Sequence, residues 1–158
     1  MADKQQPGTT EISPSKLVDL LNEDLSRECQ AIMIYVIYSE MVNGAAYRNI
    51  AGRLEKQAHE ELQHALIIAE QIHYLGGIPE IKPELVKTSA NTEEMLRFKL
   101  ENATETIRNY RERVRQCKTL GEYAMAEQIC EILRHEQQHH IDLVIALDDQ
   151  VPDITCLL

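Results

Sequence analysis

Apolar residues return every three or four positions along four stretches of the chain, a helical period. In the first stretch Leu21, Leu25, Glu28, Ile32 and Tyr35 share one stripe. In the second the stripe is Leu54, Ala58, Glu61, Ala65, Ile68 and Ile72. The third carries Leu96, Leu100, Ala103, Ile107, Tyr110 and Val114, and the fourth Met125, Ile129, Ile132, Glu136, His139 and Leu143. The breaks between them are just as regular. Ser13-Pro14 reads as an N-cap with proline in the first turn, and Gly44 stops a helix that reaches about Asn43. A second helix is expected from Ala45 to Leu75, ended by Gly76-Gly77. Residues 76–91, with Pro79 and Pro83, form a crossover. A third helix follows from Thr92 to just before Gly121, and a fourth from Glu122 to about Asp149, beyond which Pro152 blocks continuation. Two short links and one long crossover between helices 2 and 3 predict an all-α, antiparallel four-helix bundle. Residues 1–12 are expected to be a flexible arm, 13–150 the bundle and 151–158 a short tail.

Composition narrows the function. The chain has 158 residues, enough for one domain with a sizeable core, and only one Phe and no Trp. A formal net charge of -10 argues against nucleic-acid or anionic-membrane partners and is compatible with attracting cations. The longest apolar run, Ala31–Tyr38, is too short to span a bilayer. It is apolar almost all round, so one face is expected to meet the core and the other a second subunit. Met33 and Met41 read as packing residues. The segment MADKQQPGTT has no apolar leader core, which makes the cytoplasm the expected compartment. Cys29, Cys117, Cys130 and Cys156 form no CxxC pair and read as reduced thiols in helical cores.

Glu28, Glu61 and Glu136 each interrupt an apolar stripe, and an unpaired buried carboxylate costs several kcal/mol. Two of them open a Glu-x-x-His: Glu61-Leu62-Gln63-His64 and Glu136-Gln137-Gln138-His139. Residues three apart share a helix face, so each motif aims a carboxylate and an imidazole at one spot. One such motif on a charged helix arises easily by chance, but here the spacing repeats. Glu28 precedes Glu61 by 33 residues, and Ala103 precedes Glu136 by 33; Tyr35 and Tyr110 each follow seven residues after Glu28 and Ala103. The chain therefore reads as two related helical hairpins. The seam offers no evident basic partner for the glutamates, so a bound cation is the simplest compensation, and a structural module with Arg- or Lys-paired glutamates is disfavoured.

The sequence resembles the bacterioferritin branch of the ferritin-like, di-iron carboxylate family. The matching stretches are Leu21-Asn22 through Glu28 and Ala31-Ile32, Glu61-Leu62-Gln63-His64-Ala65, Tyr74 to Pro79, Glu93 to Arg97, and Glu131 to Arg134, so the likeness spans residues 14 to 150. The resemblance implies that Glu28 and His64 serve one iron, that Glu61 and Glu136 bridge two, and that His139 serves the second. It implies ferrous iron oxidation, storage and detoxification, with Tyr35 beside the iron pair or capping the core with a hydrogen-bonded hydroxyl. The chain departs from the pattern where Ala103 replaces a glutamate. Glu101 and Glu105 are each two residues away and face elsewhere on the helix. A complete first site and a weak or empty second one are expected, so one or two irons per chain, with Ala103→Glu restoring the second. His135 and His140 are each four residues from a motif residue and could lend a nitrogen, but they read first as solvent or interface groups, as do His59 and His73. Leu62 stands where the family carries its haem-ligating methionine, so no haem is expected. Residues 149–158 lend no support to a fifth helix closing a 24-subunit cage. A homodimer is the minimum, with a ferritin-type cage or a mixed shell with a paralogue as larger assemblies. Two further readings stay open: a non-catalytic subunit that binds one metal or none, and a di-metal redox enzyme on the same scaffold.

Overall fold

A computed structural model describes residues 11–82 and 84–147. The expected tail, most of the expected arm, Pro83, Cys156 and the last residues of the expected fourth helix lie outside them. The described chain is four long helices: α1 Pro14–Met41, α2 Arg48–Tyr74, α3 Thr92–Thr119 and α4 Tyr123–Ala146. Ala45–Tyr47 forms one 3-10 turn rather than the start of α2.

The caps follow from local chemistry. Ser13 accepts a hydrogen bond from the Lys16 amide at 3.2 Å, with Pro14 in the first turn. Asn91 caps α3 by accepting from the Glu94 amide at 3.1 Å. Gly76 and Gly121 stop α2 and α3 in left-handed conformation, with φ of 78° and 80°. The following amides, Gly77 and Glu122, close back onto Ile72 and Cys117, both at 2.9 Å.

The crossover sets the topology by running along α1 from its start to its end. Asn22 holds both Ile78 and Glu80, and the Ser26 hydroxyl accepts from the Lys82 amide at 2.9 Å. Gln30 donates to the Leu85 carbonyl at 2.9 Å and Tyr38 to the Lys87 carbonyl at 2.6 Å. The chain thus enters α3 beside the far end of α1. This makes α1 antiparallel to both α2 and α3, and α2 antiparallel to α4, the arrangement of a ferritin-like bundle.

The core is two apolar clusters with a polar layer between them. Leu17, Leu21, Ile68, Ile72, Ile129 and Ile132 anchor one end, and Ile34, Tyr38, Leu54, Met95, Leu96 and Leu143 the other. Burying each aliphatic side chain contributes about 1.5–3 kcal/mol, so the two apolar ends favour the fold that encloses the polar layer. Ala31–Tyr38 divides as its sequence predicts: Ala31, Ile34, Tyr35 and Tyr38 are buried, while Met33 and Val36 are exposed. On α2, Leu62 and Leu66 are exposed as well. Among the described residues no helix is long and apolar enough to cross a membrane.

Candidate metal centre

The polar layer takes its carboxylates and imidazoles from three of the four helices. Glu28 comes from α1, Glu61 and His64 from α2, Glu136 and His139 from α4, and all five are at most 2% exposed. Ligand atoms from Glu28, Glu61, His64 and Glu136 lie within 4.8 Å of one another. His64 Nδ1 is their focus: 3.0 Å from Glu61 Oε2, 3.3 Å from Glu136 Oε1 and 3.4 Å from Glu28 Oε2. A single imidazole N–H cannot satisfy three carboxylates. Glu28 Oε2, Glu61 Oε1 and Glu136 Oε1 are buried without a hydrogen-bond partner. Two ligands each ~2.1 Å from one ion, at tetrahedral or octahedral angles, stand roughly 3.0–3.4 Å apart. The separations from His64 Nδ1 fall in that range, so these residues fit a divalent cation. Three carboxylates and one imidazole suit iron better than a thiolate-seeking metal.

Neighbouring groups aim these ligands. The Tyr110 hydroxyl donates to Glu28 Oε1. His64 Nε2 lies 3.0 Å from His135 Nδ1, and the two rings stack with centroids 5.3 Å apart. His135 therefore braces the His64 ring from outside the four-residue cluster. Burial, and then the Glu61 charge, push the Glu28 carboxyl up to about 8. Burial pulls the His64 pKa down, but hydrogen bonds to Glu136, Glu28 and Glu61 outweigh it and hold it up at about 12. Burial and Glu61 also raise Glu136. Without a cation these groups would keep protons that balance their own carboxylates, and a bound cation would take the place of those protons.

Glu61 faces two ways. Its Oε2 meets His64, while its Oε1 lies 3.4 Å from His139 Nδ1 and 3.7 Å from the Lys99 ammonium. Burial works to raise Glu61, but Lys99, followed by His139 and His64, holds it well below the usual carboxylate range. Lys99 is 2% exposed and its Nζ sits 4.7 Å from the centre of the Tyr35 ring. Tyr35 in turn meets His139 edge-on at 5.9 Å. The other His139 nitrogen, Nε2, is 2.7 Å from Glu60 Oε2, at the edge of a groove of about 600 Å³ between α2 and α4.

The internal repeat explains one orphaned group. Tyr110 and Tyr35 are 75 residues apart, as are Ala103 and Glu28 (110 − 35 and 103 − 28). Tyr110 donates to Glu28 across the bundle. The mirrored partner of Tyr35 would be residue 103, where alanine offers no acceptor, and the buried Tyr35 hydroxyl has no partner among the described residues.

Sequence reasoning anticipated Glu28, Glu61, His64 and Glu136, which converge, and His139, which is buried beside them but outside the four-residue cluster. Glu101 and Glu105 are exposed, as are His59 and His73, as expected. Four expectations are corrected. The seam does hold basic groups: Lys99 beside Glu61, and Arg113, whose Nε is 2.7 Å from Asp24. The Tyr35 hydroxyl has no hydrogen-bond partner among the described residues, which goes against its reading as a hydrogen-bonded cap. His140 is buried rather than outward, with burial lowering its pKa. Cys130 is exposed on α4, whereas Cys117 is in the core and Cys29 half-buried. A signal for Lys99 existed. It lies three residues after Leu96 and four before Ala103, but the neighbouring Leu100 satisfies the same period.

The chain is similar to known proteins over most of its length. The bacterioferritin of Brucella melitensis is 25% identical over 130 residues, covering 82% of this chain and 80% of that protein. A solved ferritin-like, diiron-carboxylate protein of Bacillus anthracis str. Ames superposes with a TM-score of 0.80 at 30% identity, covering 86% of this chain and 99% of that one. The bacterioferritin-related protein of Bacteroides fragilis, a dodecameric thioferritin, superposes with a TM-score of 0.79 at 26% identity, covering 87% and 88%. The family model of the ferritin-like domain matches residues 18–153. With its helix order, its paired Glu-x-x-His motifs and its buried carboxylate cluster, the chain belongs to the ferritin-like domain family, on the bacterioferritin branch.

Proposed function

We propose that this protein takes up ferrous iron for storage and detoxification, at one position per chain held by Glu28, Glu61, His64 and Glu136. The observation that carries this reading is the set of unsatisfied carboxylate oxygens grouped around His64 Nδ1. Iron here is substrate and cargo. Glu28 and His64 must release their protons to receive it, so uptake is coupled to proton release. The groove bounded by Glu60, His135 and His139 is the surface opening beside the site, with His135 against His64. One ferrous ion yields one electron, so a chain holding a single ion lacks the paired reductant for a two-electron oxidant. Oxidation is therefore slow unless electrons are drawn from two chains. This places the protein between a ferroxidase and the non-catalytic subunit of a mixed shell, and Ala103 favours the latter.

The assembly is at least a homodimer, packed through the exposed apolar face that includes Met33, Val36, Leu62 and Leu66. Leu62 offers no ligand to a haem iron, so the reading includes no haem. A cytoplasmic location accords with reduced thiols at Cys29, Cys117 and Cys130.

The test is ferrous titration of the purified, metal-free protein without oxygen, followed by absorbance growth under air. Uptake of one ion per chain, abolished in Glu61→Gln, is expected, with slow growth. Rapid oxidation saturating at two irons per chain would refute the single-ion reading, and no uptake at all would refute iron handling.

A further inference from the structure

The repeat aligns Lys99 of the second hairpin with Asp24 of the first (99 − 75). Asp24 points to Arg113, with oxygens 2.7 Å and 3.4 Å from the guanidinium, and so is neutralised away from the glutamate cluster. Lys99 does something different. It sits one helical turn before Ala103, on the same buried face of α3. Its ammonium stands against Glu61 Oε1, the oxygen turned away from the His64 side, and over the Tyr35 ring.

We propose that Lys99 is a tethered cation that occupies the second metal position, so that the chain is built for one ion rather than being a pair site that has lost a ligand. This rests on the iron-uptake reading for the first position, but not for Lys99 itself. Three observations converge. The ammonium is buried beside the carboxylate oxygen that a second metal would use. The aromatic face of Tyr35 supports a cation at that spot, and cation–π attraction strengthens with desolvation. The same site has lost the carboxylate that a second metal would need, at Ala103, and the Tyr35 hydroxyl is left without a partner there. A lysine and a divalent ion cannot share so small a volume, because their like charges repel strongly at a few ångströms. The consequence is specific: supplying the missing carboxylate does not by itself recreate a two-metal site, because the ammonium stays and pairs with it.

The experiment has two arms. In the first, metal-free protein is titrated with Zn²⁺, a redox-inert probe, and the stoichiometry is read by calorimetry and by metal analysis after desalting. The wild type and Ala103→Glu are expected to bind one ion per chain, and the double variant Lys99→Met with Ala103→Glu two. Two ions in the wild type, or in Ala103→Glu alone, overturn the proposal, as does one ion in a double variant whose helical circular dichroism is native. The second arm uses no metal. In chelator, Lys99→Met is expected to lower the melting temperature by roughly 6–20 °C, because Glu61 loses its counter-charge. Adding Glu61→Gln in that background is expected to recover at least half the loss. Additive losses would overturn the tethered-cation role. No zinc in the wild type with non-additive losses would sink the iron-uptake reading while upholding Lys99 as the resident charge.

Discussion

Tyr35 and Tyr110 are repeat-related, almost wholly buried, and chemically identical, yet removing their hydroxyls should have opposite effects. The Tyr110 hydroxyl donates to Glu28 Oε1, and Glu28 Oε2 already lacks a partner. Tyr110→Phe therefore leaves a buried carboxyl with no tyrosine donor. Burial and Glu61 push the Glu28 carboxyl up to about 8, so near pH 7 the acceptor is largely neutral, and a neutral hydrogen bond is worth about 0.5–1.5 kcal/mol. For a chain of this size each kcal/mol shifts the melting temperature by about 2–4 °C, so a fall of roughly 1–6 °C is expected. Tyr35→Phe removes a buried hydroxyl that has no partner. An unsatisfied buried polar group costs about 1–3 kcal/mol, so this variant should be neutral or should gain a few degrees. The ring stays in both variants, so packing and the Lys99 contact are preserved. The assay is differential scanning calorimetry of the two variants and the wild type in chelator at one pH. Equal losses in both would show that residue 103 is not the mirrored partner of Tyr35, and the two-hairpin account of the gap would fall.

Other perturbations give further expectations. His64→Ala should lower affinity for ferrous or zinc ions at least tenfold without unfolding the bundle, measured by calorimetric titration; unchanged affinity would remove His64 from the site. Arg113→Met should cost stability mainly at higher pH. Burial already pushes the Asp24 carboxyl up to about 6 despite Arg113. A raised folded-state pKa means that stability present at low pH is lost as pH rises through it. Without Arg113 that loss continues to higher pH, so the gap from wild type should be small near pH 5 and approach about 3 kcal/mol near pH 8; denaturant melts at both pH values check this, and an equal gap would contradict it. Val36→Glu with Leu66→Glu should shift the assembly toward monomer in light scattering, because charges on an apolar contact face are costly to bury; an unchanged mass would place the subunit contact elsewhere.

Much of this architecture was legible in the chain. The three-and-four period places all six residues of the α2 stripe and all six of the α4 stripe in the interior, including Glu61, Glu136 and His139. The glutamates stood out because a carboxylate in a leucine stripe needs a reason. Lys99, Asp24 and Arg113 did not, although each is also on a stripe, because an apolar neighbour satisfied the period and hid them. Their roles depend on which residue of another helix lies opposite, which a one-dimensional pattern does not carry. The same holds for the crossover. Its existence follows from Gly76-Gly77 and Pro79, but its path along α1 depends on Asn22, Ser26 and Gln30 offering side-chain partners to its backbone. His135 was visible as a neighbour of the motif, but its stacking on His64 needed the helices in place.

The most direct single test is an anomalous-scattering map from crystals soaked in ferrous iron without oxygen. One peak is expected per chain, touched by Glu28, Glu61, His64 and Glu136, with none between Lys99, Tyr35 and His139. A pair of peaks with Lys99 displaced, or carboxylates turned outward to water with no peak between the helices, would contradict it.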